Sequence, residues 1–149
     1  MSIEANKALV RRLWEEGFNK RNLAVADEVV APDAINYEAP PGMTREGPES
    51  VKQIIPMLTA AFPDYHISLE EMIAEGDKVV VRTTVSGTHQ GTFMGIPPTG
   101  KHFTQQQIHI VRIVDGKGVE HRAVRDDLSM LQQLGVLPPP GHESSAGAR

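Results

Sequence analysis

Apolar residues along the first third of the chain recur at three- and four-residue steps. Ile3, Leu9, Val10, Leu13, Trp14 and Phe18 lie on one face of a helix predicted over roughly 3–18, which Gly17 and Asn19 begin to end. Trp14 on that face is expected in the core. Asn22 is placed to cap a second helix carrying Leu23, Ala26, Val29 and Val30, and Pro32 should stop it. Ile35 to Glu38 reads as a short extended piece before the Pro40-Pro41-Gly42 turn. Pro48 suits the first turn of a third helix, whose Val51, Ile54, Ile55, Leu58 and Phe62 form a stripe that Pro56 should bend.

After Pro63-Asp64 the period changes from helical to two. Tyr65, Ile67, Leu69, Glu71 and Ile73 alternate with more polar neighbours, and Glu75-Gly76-Asp77 turns the chain into Val79 to Val85. A third long strand is predicted from Phe103 to Val114. Asp115-Gly116-Lys117-Gly118 then leads into a fourth, Val119 to Arg125. These strands read as an antiparallel meander, followed by a short helix over Leu128 to Leu134 that Gly135 stops. Between the second and third strands lies a Gly/Pro-punctuated connection, Gly87 to Lys101, that still carries Phe93, Met94 and Ile96. A solvated loop rarely keeps three such side chains together, so the segment is expected to fold over an apolar cavity as a lid or wall.

Helices followed by a long curved meander give an α+β fold in which a sheet wraps around helices and encloses a cavity, a natural small-molecule site. With 149 residues the chain suits one domain, 1–137, and the Pro/Gly/Ser/Ala stretch 138–149 reads as a disordered tail. There are no cysteines, which removes disulfides, thiolate ligands and cysteine nucleophiles. The net charge of -4 is spread without a basic stripe, so nucleic acid is not an expected partner. No membrane-spanning run or signal-peptide layout is seen, and a cytoplasmic location is expected.

Three segments together resemble the SnoaL-like polyketide cyclase (ester cyclase) family of the NTF2-like superfamily: Gly47-Pro48-Glu49; Gly87-Thr88-His89 through Pro98-Thr99-Gly100; and Glu120-His121 through Asp126 with Gln132-Gln133-Leu134-Gly135. The likeness covers about residues 5 to 137. It implies the NTF2-like cone, a curved antiparallel sheet around helices with an internal cavity. It also implies a homo-oligomer, dimer or tetramer, and intramolecular aldol cyclisation of a small hydrophobic oxygenated substrate without metal or organic cofactor. Relatives that hydroxylate aromatic polyketides, and non-catalytic NTF2-like binders, provide the alternative readings.

Strand alternation puts Gln105, Gln107, His109 and Val111 on one face. Gln107 and His109 can therefore address one carbonyl-bearing ligand, and the resemblance implies that this pair lines the pocket. On the next strand Arg122, Val124 and Asp126 share a parity opposite to His121, Ala123 and Arg125. By resemblance Asp126 is the general acid/base, desolvated by Phe93, Met94, Ile96 and Val124, with His109 as its catalytic companion. Asp126 and Asp127 are also both placed to cap the last helix. Arg122 stands where many relatives carry Trp, and on the pocket wall it would favour an acidic or polyoxygenated substrate. Asn36 and Tyr37 are the remaining substrate-binding candidates. His89 is expected to pin loop backbone, while His66, His102 and His142 are expected at the surface. If Asp126 faces the cavity, His121 faces away, so His109, His121 and Asp126 should not assemble as metal ligands.

Overall fold

The computed structural model describes residues 2–139, so His142 and most of the 138–149 tail lie outside the described residues. The elements run α1 (Ile3–Arg12), continuing in wider π-type turns over Leu13–Asn19, α2 (Ala24–Val29), β1 (Val30–Asn36), α3 (Glu49–Ala61), β2 (His66–Glu75), β3 (Lys78–Thr88), β4 (His102–Val114), β5 (Lys117–Arg125) and α4 (Asp127–Gln133). The sheet has five strands in the order β1-β5-β4-β3-β2. The fold is α+β, a curved and open sheet holding helices on its concave side.

The sheet is mixed, which corrects the all-antiparallel expectation. β2 to β5 form the predicted meander, but β1 lies parallel to β5 at one edge. Pro32 does not separate the second helix from a short extended piece; it lies within β1, between the paired positions Val30 and Ile35 where the register shifts. An edge strand tolerates proline because it needs hydrogen bonds on one side only. The register also shifts around Glu70 in β2 and Val119 in β5. Such bulges add local twist, and they curve the sheet enough to leave a cavity.

Two apolar clusters hold the layers together. Val10, Trp14, Phe62, Val81, Val85 and Phe103 join the first helical segment to the concave face, while Val25, Val29, Ala34, Val51 and Ile55 join α2, α3 and β1. At the far edge, the Asn19 side chain donates to the Ile67 carbonyl (2.7 Å) and accepts from the Ile67 amide (2.8 Å). It thus supplies β2 with one residue's worth of the strand partner it lacks. Gly47 sits at φ 67, and a Cβ there would lie 2.8 Å from the Pro32 carbonyl oxygen. The Gly47-Pro48 pair therefore lets the chain pass closely over β1 and start α3 directly afterwards. Among the described residues no helix is long and apolar enough to cross a membrane.

Candidate active site

The concave face encloses a cavity of about 400 Å³. Its walls are largely apolar, with Trp14, Leu58, Phe62 and Phe103 deep inside and Phe93, Met94 and Ile96 contributed by the long β3–β4 connection. That connection forms a wall because it is tied at its base and tip. His89 is fully buried; its amide donates to the Lys101 carbonyl (2.9 Å), and its Nδ1 accepts from the Thr99 amide (3.2 Å). At the tip Phe93 and Ile96 exchange backbone hydrogen bonds across Met94 and Gly95, both at positive φ. Phe93 then reaches the Phe62 ring, with centroids 5.1 Å apart, while Met94 remains exposed at the rim.

One polar wall crosses this apolar interior. β4 turns Gln105, Gln107 and His109 inward as its alternation predicts, and all three are buried. They belong to a continuous hydrogen-bonded chain. Asn36 Oδ1 meets His121 Nδ1 at 2.7 Å, His121 Nε2 meets His109 Nδ1 at 2.8 Å, and His109 Nε2 meets Gln107 Oε1 at 2.7 Å. Gln107 Nε2 donates to Gln105 Oε1 at 2.8 Å, and Gln105 Nε2 donates to Asp127 Oδ1 at 2.9 Å. Trp14 packs on His109 with centroids 4.8 Å apart.

Burial sets the electrostatics of the two imidazoles. Desolvation first, then the neighbouring His121 and Arg125, pushes His109 down to about 3; desolvation and then Arg125 push His121 down to about 4. Arg125 lines the same cavity, 3.9 Å from the Glu38 carboxylate and 3.7 Å from that of Asp127.

The expected inward and outward sets on β5 are reversed. Directly opposite strand residues share a face, and here His121 pairs with Val111, Ala123 with His109 and Arg125 with Gln107. His121, Ala123 and Arg125 therefore follow β4's inward residues. Val124 points out and is 77% exposed. Arg122 also points out, its guanidinium 3.8 Å from the centroid of Tyr37, which Arg45 approaches from 5.4 Å. Tyr37 is exposed within this outer stack, so neither it nor Arg122 lines the cavity.

Asp126 departs from its expected place for a related reason. β5 ends at Arg125, so strand alternation no longer governs the next residue, and the exposed Asp126 carboxylate caps α4 by accepting from the Ser129 amide (3.1 Å). Asp127 is the one of the two that reaches the cavity rim. The parity argument that kept His109 and His121 apart is likewise overturned, since their rings stack with centroids 5.1 Å apart. Among the described residues, no group of three or more His, Asp or Glu side chains is arranged to hold a metal ion. Sequence reasoning placed Gln105 on the inward face without giving it a role, and it missed His121, Arg125 and Asp127 as lining groups. The signal that finds His121 and Arg125 is pairing register: once β4's inward face is assigned, its partner on β5 is fixed.

The profile of the SnoaL-like polyketide cyclases matches residues 8–134. The chain belongs to this family. It is 34% identical over 120 residues to the nogalonic acid methyl ester cyclase of Streptomyces nogalater, covering 79% of this chain and 89% of that protein. It is 35% identical over 133 residues to an aklanonic acid methyl ester cyclase of Streptomyces sp. (strain C5), covering 85% and 80%. Among solved structures, TsrD from Streptomyces laurentii superposes with a TM-score of 0.83 at 28% identity, over 92% of this chain and 99% of that one. AclR from Streptomyces galilaeus, a proposed hydroxylase, superposes with a TM-score of 0.79 at 32% identity, over 99% and 92%. Family membership and the NTF2-like architecture thus agree with the cone expected from the three quoted segments.

Proposed function

We propose that this chain closes a ring in a polyketide methyl ester by an intramolecular aldol step, using acid/base catalysis without a cofactor. The observation that carries the reading is the hydrogen-bonded imidazole pair set in the polar wall of an otherwise apolar cavity. A neutral imidazole can take a proton from the carbon between two carbonyls; the resulting enolate attacks a ketone, a C–C bond forms, and the proton returns to the new alkoxide. Atoms balance, and the product is an isomer of the substrate. His109 and His121 are the proton carriers in this reading, in place of the Asp126 expected from resemblance. Asn36 Nδ2 and the second N–H of Gln107 Nε2 have no partner among the described residues, so they are available to hold the enolate oxygen as charge develops. Phe93, Met94 and Ile96 would cover the substrate's apolar rings.

The test is turnover of nogalonic acid and aklanonic acid methyl esters. His109→Gln should lower turnover by about 10²- to 10⁴-fold with ligand binding kept, whereas Asp126→Asn should turn over normally. A wild-type rate in His109→Gln would remove the pair from the chemistry. The likeness to AclR, extending over 99% of this chain, supports hydroxylation as a second reading. Oxygen uptake during turnover would favour it over cyclisation.

The outer sheet face supports a homodimer. Exposed Ile108 and Val124 are cross-strand partners there, with exposed Ile110 next to them on β4. Light scattering should report a dimer that Val124→Lys converts to a monomer; a monomeric wild type contradicts this assembly.

A further inference from the structure

The polar chain from Asn36 to Asp127 has a direction, because each end is fixed by a group that plays only one part. At the rim the Asp127 carboxylate accepts from Gln105, which turns Gln105 Oε1 to accept from Gln107 and Gln107 Oε1 to accept from His109. His109 is thereby required to carry hydrogen on Nε2. At the other end Asn36 Oδ1 already accepts the Glu38 amide hydrogen (3.0 Å), so it faces His121 as an acceptor and requires hydrogen on Nδ1. The inner contact of 2.8 Å between His109 Nδ1 and His121 Nε2 needs a third hydrogen. Two neutral imidazoles hold two. While burial keeps both rings neutral, one of the three contacts brings two lone pairs together.

We propose that Asp127 is a positioning residue: by fixing the direction of the Gln105 and Gln107 amides, it leaves the His109–His121 pair one hydrogen short and so makes the pair the cavity's proton acceptor. Taking up one proton completes every hydrogen bond in the chain. Uptake is therefore easier than burial alone would allow. The remaining charged groups facing the pair are Arg125 and Glu120 from β5 and Glu38 from the segment after β1; Trp14, from the helical side, brings no charge. In the ring closure proposed above, on which only this clause rests, the proton accepted is the one leaving carbon, and it is handed back to the alkoxide oxygen.

Cutting the link frees the amides to reverse. Gln107 Nε2 can then donate to His109, His109 Nδ1–H to His121, and His121 Nδ1–H to Asn36, so two neutral rings satisfy every contact. Gln105→Met does this while keeping the Asp127 charge. Nitrogen-15 shifts of the histidine rings, recorded by NMR down the acid range without any ligand, read the proton on the pair directly. Gln105→Met should lower the midpoint of the pair by about one pH unit. Asp127→Asn, at the exposed rim, should move it in the same direction and provides the reading if Gln105→Met does not fold. An unchanged midpoint in the folded variants overturns the proposal. Because the measurement needs no turnover, it stands apart from the cyclisation assay, where the acid limb of kcat/KM should shift the same way.

Discussion

Acidification should destabilise the fold through His109 and His121, by an amount their burial predicts. In the folded protein the two rings are held down to about 3 and about 4, against an ordinary value of 6.5. The unfolded chain therefore takes up protons as pH falls through 6.5, while the folded chain does not until about 4. Stability from this source is present above 6.5 and is lost as pH drops across that window. Between about pH 7 and pH 5 each ring loses about 2 kcal/mol by this linkage, so the pair accounts for at most about 4 kcal/mol. That is a large share of the roughly 5–15 kcal/mol that keeps a typical domain folded. The lone-pair conflict in the polar chain raises the pair's proton affinity and makes the loss smaller. Urea unfolding at both pH values, on the wild type and on a His109→Gln, His121→Asn double variant, isolates the effect. The wild type should lose more stability on acidification than the variant, whatever their absolute values. Equal losses would show that the rings titrate in the folded state as they do in the unfolded chain, and would refute the buried neutral pair.

Asp126→Ala should cost about 0.5–2 kcal/mol by removing the α4 cap, read as a lower urea midpoint with cavity binding retained. Gly91→Ala should loosen the β3–β4 connection, since a Cβ there would collide with the Ala60 carbonyl oxygen beneath it; faster proteolysis between 87 and 101 is the expected readout, and unchanged cleavage would contradict the tight seating. Asn19→Leu should expose the Ile67 amide to exchange, because the side chain that accepts from it is gone. Hydrogen exchange at Ile67 as slow as in the wild type would place that protection elsewhere.

The inward face of β4 was legible because it rests on local alternation: Gln105, Gln107, His109 and Val111 are spaced by two, and a strand turns such residues the same way. The helix stripes, the Gly76 and Gly116 turns and the apolar segment at Phe93 were legible for the same local reason. The site on β5 was not. Its parity was anchored on Asp126, and that residue lies just beyond the strand, where the chain has already turned to start α4. A one-residue error in where alternation ends inverts every side chain assigned by it.

Local pattern by itself thus determined most of the helices and the four strands of the meander, that an apolar loop closes over the sheet, and which family the chain resembles. Tertiary structure alone decided that β1 joins β5 in parallel, that His121 meets His109, and that Asp127 rather than Asp126 reaches the cavity rim. The physical reason is range. Secondary structure and turns follow from interactions between residues a few positions apart, whereas the polar chain joins Asn36 to His121 across 85 positions and takes its geometry from strand register, which no single segment contains.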